Sequence, residues 1–197
     1  MPTLQDTILN FFESRYNDPL PAVGSDESEW PIQLKITSPN PSSYTALFSL
    51  GLSARDLECE GFPDGVRRFE LCALIPKRFW VADGPPAKKY PVWAYSMIFK
   101  LCDLLKTETI KCPMTFVSFS SEQNIIPGKD FKGVSLSLHA QHRLPDGPAV
   151  NILEVIPLFE EELEFERQNG LSSFLELLEN ANVPLYVEPE RSCALTA

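Results

Sequence analysis

The segment 92–105 constrains this chain more than any other. Its apolar residues, Trp93, Met97, Ile98, Leu101, Cys102, Leu104 and Leu105, fall on one broad helical face, with Lys100, Asp103 and Lys106 opposite. The spacing predicts a core helix, introduced by Pro85-Pro86 and Pro91. Burying it takes strands from both halves of the 197-residue chain, and the flanking sequence supplies them. Ile32, Leu34 and Ile36 alternate with polar residues at the period of a half-buried strand. Further strands are expected at 44–50, 68–75, 114–119, 134–139 and 150–157, the last almost continuously apolar and therefore central. Within 68–75, Phe69, Leu71 and Ala73 face one way and Glu70 and Cys72 the other.

Leu4, Ile8, Leu9, Phe11, Phe12 and Tyr16 recur at helical spacing, so residues 3–16 read as an amphipathic helix, with Thr3 and Asp6 as a capping-box pair. Residues 160–168 read as a helix stopped by Gly170. A last helix follows, capped by Ser172 or Ser173, with Leu175, Leu177 and Leu178 turned inward. The order αβββαβββαα specifies an α+β fold: a mixed or mostly antiparallel sheet with helices packed on it. No linker or repeat is visible, so residues 1–197 are expected to form one domain. The composition agrees. Hydrophobic residues make up 44% against nine glycines, which supports a core, and 18 prolines divide the chain into short elements.

The net charge is −10, and it is concentrated. Residues 154–190 hold ten glutamates against Arg167 alone. Such a field repels nucleic acid and anionic membranes; it complements a basic protein partner, and solubility alone accounts for it equally well. Residues 1–10 lack the basic start of a secretory signal, and the uncharged stretch 36–54 is broken by Pro39 and Pro41, so it is no membrane span. The five cysteines, Cys59, Cys72, Cys102, Cys112 and Cys193, are odd in number and lack C-x-x-C spacing. They read as reduced thiols in a cytoplasmic protein.

Phosphate-binding, dinucleotide-binding, zincin and hydrolase signatures are all missing from the sequence. His139 and His142 are the two histidines. In a regular strand, side chains three apart point to opposite faces, so the pair is not expected to share a metal. No cofactor and no metal are expected. Catalytic residues are not assigned, although a small cytosolic enzyme using His139 or His142 with a cysteine is the alternative. The basic pairs Arg67-Arg68, Lys77-Arg78 and Lys88-Lys89 lie near Phe79, Trp80 and Tyr90, the composition of a weak single-strand platform. Residues 55–132 are nearly balanced in charge, however, and a solvated rim accounts for them. Glu160, Glu161, Glu162, Glu164 and Glu166 crowd a helix start, where acidic residues complement the dipole. Glu160, Glu161, Glu162 and Glu164, with Trp80, are also the candidates for a partner-binding surface.

Several short motifs carry a resemblance. Leu50-Gly51-Leu52-Ser53, then Arg68-Phe69-Glu70-Leu71, then Leu74-Ile75-Pro76 and Trp80 resemble the first half of the Suppressor of fused-like domain. Trp93 with its apolar helix, Ile156-Pro157-Leu158, Glu161-Glu162-Leu163 and Gly170 match the second half in order, over residues 30–180. The resemblance implies structural roles: a turn at Gly51 and Ser53, Glu70 in a strand, strand ends at Pro76 and Pro157, and a helix end at Gly170. It brings no catalytic residue. In animals a longer, two-domain member restrains Hedgehog signalling by sequestering a transcription factor; the present chain resembles its first domain alone. Stand-alone bacterial members are regarded as immunity proteins of polymorphic toxin systems. The resemblance therefore implies a non-catalytic, cytoplasmic protein-binding domain.

Overall fold

Thr3 starts the first helix as its sequence predicts. Its hydroxyl accepts from the Asp6 N–H at 3.1 Å while the Asp6 carboxylate accepts from the Thr3 N–H at 2.8 Å, a reciprocal cap that satisfies two helix-end donors. In this computed structural model the described residues are 3–16, 19–20, 23–25, 29–37, 44–57, 59–60, 68–79, 91–107, 110–111, 116–120, 124–126, 128–143, 147, 149–184 and 186–196. Trp80, Lys88, Lys89, Tyr90 and Cys112 lie outside them. The elements are α1 (Leu4–Arg15), β1 (Val23–Ser25), β2 (Gln33–Ile36), β3 (Tyr44–Leu50), β4 (Cys59–Glu60), β5 (Arg68–Pro76), α2 (Val92–Thr107), β6 (Ile110–Lys111), β7 (Phe116–Ser120), β8 (Phe131–Arg143), β9 (Ala149–Phe159) and α3 (Glu160–Asn180).

Seven strands form one sheet in the order β1-β2-β3-β5-β9-β8-β7, and β4 pairs with β6 apart from it. The β5–β9 pairing is parallel, and the remaining pairings of the large sheet are antiparallel. This is the expected α+β fold with a mixed sheet. The central strands are apolar on both sides because helices cover both faces. On one face α2 buries Met97, Ile98, Leu101 and Leu105 against Leu34, Ile36, Leu71 and Val155. On the other, α1 buries Ile8 and Phe12 against Phe48, Val150 and Ile152, with the Phe12 and Phe48 rings stacked at 3.8 Å. Further along that second face, Leu163, Phe174 and Leu178 of α3 pack on Ile156 and Leu158. Each such side chain contributes about 1.5–3 kcal/mol on full burial.

Four local expectations are corrected. Pro157 does not end its strand: β9 runs on to Phe159, with Pro157 paired to Val134. Its carbonyl turns toward the side that β5 has left, where it accepts from Arg191 Nη2 at 2.7 Å, so the missing N–H deprives no ladder. Gly170 does break α3, with φ 79° and ψ 168°, but helix resumes at residue 171, so neither Ser172 nor Ser173 is the cap. The buried stripe of that second half is Phe174 and Leu178, while Leu175 is exposed. The fourth correction concerns β8, which spans 13 residues. A bulge between Leu138 and Ala140 makes His139 an extra residue, shifting the alternation that a shorter strand requires.

Beyond Cys72 and Glu154, β5 and β9 part company. Residues 186–196 enter the gap: the Val187 N–H donates to the Leu74 carbonyl at 2.9 Å on the β5 side, and Arg191 reaches Pro157 on the β9 side. Among the described residues no helix is long and apolar enough to cross a membrane.

Candidate protein-binding face

The first turn of α3 places Glu160, Glu161 and Glu164 in solvent. Together with Phe165, Gln168 and Leu195 they line an open groove of about 460 Å³. Its floor is apolar, since Leu195 is 41% exposed, and its rim is acidic. Glu164 is the most engaged of the three, accepting from Gln168 at 2.7 Å and pairing with Arg167 at 3.5 Å. An acidic rim around exposed apolar atoms is a chemistry suited to Arg or Lys side chains, whose apolar stems and charged heads match the two halves.

Glu162, grouped with these residues by sequence, is not part of that face. It is fully buried. Its carboxylate receives Arg191 Nη1 and Nη2 at 2.6 Å each, the Ala194 N–H at 2.8 Å and the Phe159 N–H at 3.0 Å. Helical geometry turns this one position of the acidic run inward, where it caps α3 and holds the C-terminal segment. Arg191 in turn lies 5.2 Å from the Phe131 ring centre and 4.9 Å from that of Phe159. The signal for this pair was present in the sequence as a lone arginine just after ten glutamates. Trp80, the other candidate, falls outside the described residues.

The two histidines do come together, contrary to the alternation rule. The bulge at His139 brings both onto the α1 side of the sheet, with the Phe11 ring 6.1 Å from His139 and 4.6 Å from His142. His139 Nε2 is 3.0 Å from the Tyr16 hydroxyl, and its Nδ1 is 3.2 Å from the Glu154 carboxylate. Burial, with Cys72 nearby, pushes the Tyr16 phenol up to about 12. Cys72 is fully buried, and burial followed by the Glu154 charge raises its thiol well above the ordinary value. That is the reverse of what a thiolate nucleophile needs. Among the described residues no three His, Cys, Asp or Glu side chains are placed to hold a metal ion. Tyr16 and Glu154 were not singled out by sequence, because only the fold brings their distant segments to His139.

The remaining described motif positions lie in a turn, in strands and beside the core. Glu70 is fully buried in β5. It accepts from the Ser49 hydroxyl at 2.5 Å, the Gly51 N–H at 3.0 Å, and the Ser53 N–H and hydroxyl at 3.1 and 2.5 Å. Burial pushes its carboxyl up, against the opposing pull of these donors. Gly51 has φ 113°, and a Cβ there would sit 2.6 Å from the Pro31 carbonyl oxygen. Pro76 is the last residue of β5. Trp93 packs edge-on to Phe79 beside the main core.

A family model described as Suppressor of fused protein (SUFU) matches residues 29–192. Among curated protein sequences none matches the chain. Solved structures do. A chain of the Sufu–Fu complex crystal structure is 14% identical with a TM-score of 0.70, the match covering 99% of this chain and 93% of that one. Drosophila Suppressor of Fused is 12% identical with a TM-score of 0.64, covering 95% of this chain and 50% of that one. A SUFU homologue from Neisseria gonorrhoeae FA 1090 is 11% identical with a TM-score of 0.57, covering 95% and 93%. At these identities the structural likeness concerns the fold.

Proposed function

Because the chain belongs to the Suppressor of fused family, we propose that it is a non-catalytic, cytoplasmic protein-binding domain that neutralises a polymorphic toxin by direct binding. The observation that carries this reading is the acidic rim of Glu160, Glu161 and Glu164 around the groove floored by Phe165 and Leu195. A toxin acting on nucleic acid holds phosphates with Lys and Arg, and these carboxylates offer the same charge in their place. A relative solved as the Sufu–Fu complex supports a protein as the class of partner.

The test uses the basic protein captured by this chain from its source cells. Reversing Glu160, Glu161 and Glu164 to lysine should slow association by about ten-fold or more at low salt, a gap that closes as ionic strength rises. Glu162 stays untouched, since its role is internal. An unchanged on-rate with unchanged thermal unfolding would move the interface elsewhere, first to the segment that holds Trp80. The alternative, an enzyme built on His139 or His142 with a cysteine, draws support from the Tyr16–His139–Glu154 alignment. Alanine at both histidines separates the two, since partner binding through α3 should survive it. The other alternative, a regulator that sequesters a transcription factor, would place a nuclear protein rather than a toxin in the same capture experiment.

A further inference from the structure

His142 lies under α1 with its ring against Phe11 at 4.6 Å, and its Nε2 is buried with no hydrogen-bond partner among the described residues. We infer that α1 is a pH-released cover: it stays docked while His142 is neutral and lifts from the sheet when His142 is protonated, with the sheet itself intact.

The two histidines differ in what surrounds them. His139 lies between the Tyr16 hydroxyl and the Glu154 carboxylate, and both oxygens can accept a hydrogen bond. A charged His139 is therefore satisfied with α1 in place. His142 has the Phe11 ring above it, and its strand partner on β9 is Val150. Among the described residues, the charged groups around this interface are Arg15 on α1, Arg143 and His139 on β8, and Glu154 on β9. Arg15 and Arg143 are exposed and carry the wrong sign to favour an imidazolium. Glu154 is four residues along β9 from Val150, about 13 Å at strand rise. Asp6 and Glu13, the acids of α1, are exposed. Burial accordingly holds His142 below its ordinary value. The sign follows. A base held down in the docked state stabilises docking fully above its free value of about 6.5, and that stabilisation is lost as pH falls through the lower, docked value. Undocking restores water to the ring, and it uncovers the apolar face made by Phe48, Leu50, Val150 and Ile152.

Amide hydrogen exchange on the intact protein tests this, read as protection factors so that the intrinsic pH dependence cancels. Between about pH 7.5 and about pH 5, protection across α1 should fall about ten-fold while that of β3, β5 and β9 holds. His142→Phe keeps an aromatic ring against Phe11 and removes the proton, and it should abolish the loss; His139→Gln should retain it. Unchanged α1 protection in the unmutated protein overturns the inference. So does a loss shared by the whole sheet, or one that persists in His142→Phe.

Discussion

At residue scale, the turn after β3 shows how little latitude the fold leaves. Gly51 combines a positive φ with an approach of 2.6 Å between its would-be Cβ and the Pro31 oxygen. Gly51→Ala should therefore lower the urea midpoint, with strain alone costing about 1–3 kcal/mol. Glu70→Gln tests the same turn from the other side. The Gln amide cannot accept from both the Gly51 and Ser53 N–H groups and the two serines at once, so unfolding measurements should show a loss of about 1–3 kcal/mol. Cys72 and Cys102 are buried, and Cys193 is half-buried. Of these three, a thiol reagent should find Cys193 first in the native protein, and all five cysteines after denaturation without reductant.

At element scale, α3 is one helix in sequence position but two in mechanics, broken at Gly170 and anchored by Glu162 to Arg191. Removing one partner strands a buried charge, so Arg191→Met should cost about 3–5 kcal/mol, measured by chemical denaturation. It should also loosen residues 186–196 before the sheet. Elements with a clean period were legible in the sequence: α1, β3, β5 and α2 fall within two residues of expectation because burial on a fixed face sets their spacing. The bulge at His139 was not legible. A single extra residue resets the period of β8, and nothing local in Leu138-His139-Ala140 announces it. Pro157 misled for a related reason. Whether a proline ends a strand depends on which neighbour its missing N–H faces, and that is decided by a segment thirty residues downstream. The acidic cluster was visible as composition, but the turning of Glu162 inward as a cap, with Glu160, Glu161 and Glu164 left outward, follows from where Arg191 arrives.

At the scale of the whole molecule, the parallel pairing of β5 with β9 stitches the first half of the chain to the second, and α2 lies across strands from both. Equilibrium unfolding followed by tryptophan fluorescence and by far-UV circular dichroism should trace one coincident transition. A limited digest that left two stable pieces divided near residue 107 would contradict such cooperativity. The same pairing has a consequence for how the protein is made. Arg68 meets Val150 about eighty residues later in the chain, so the middle of the sheet cannot close on a ribosome until β9 has emerged. The β8–β9 hairpin is local and can assemble at once, whereas the earlier strands β2, β3 and β5 must wait with an unpaired edge. Parallel strand pairing over that distance is slow relative to the formation of a local hairpin. Refolding rates should consequently respond most to substitutions at the β5–β9 seam, and the nascent chain passes through a stage in which β5 is exposed to chaperones and to other copies of itself.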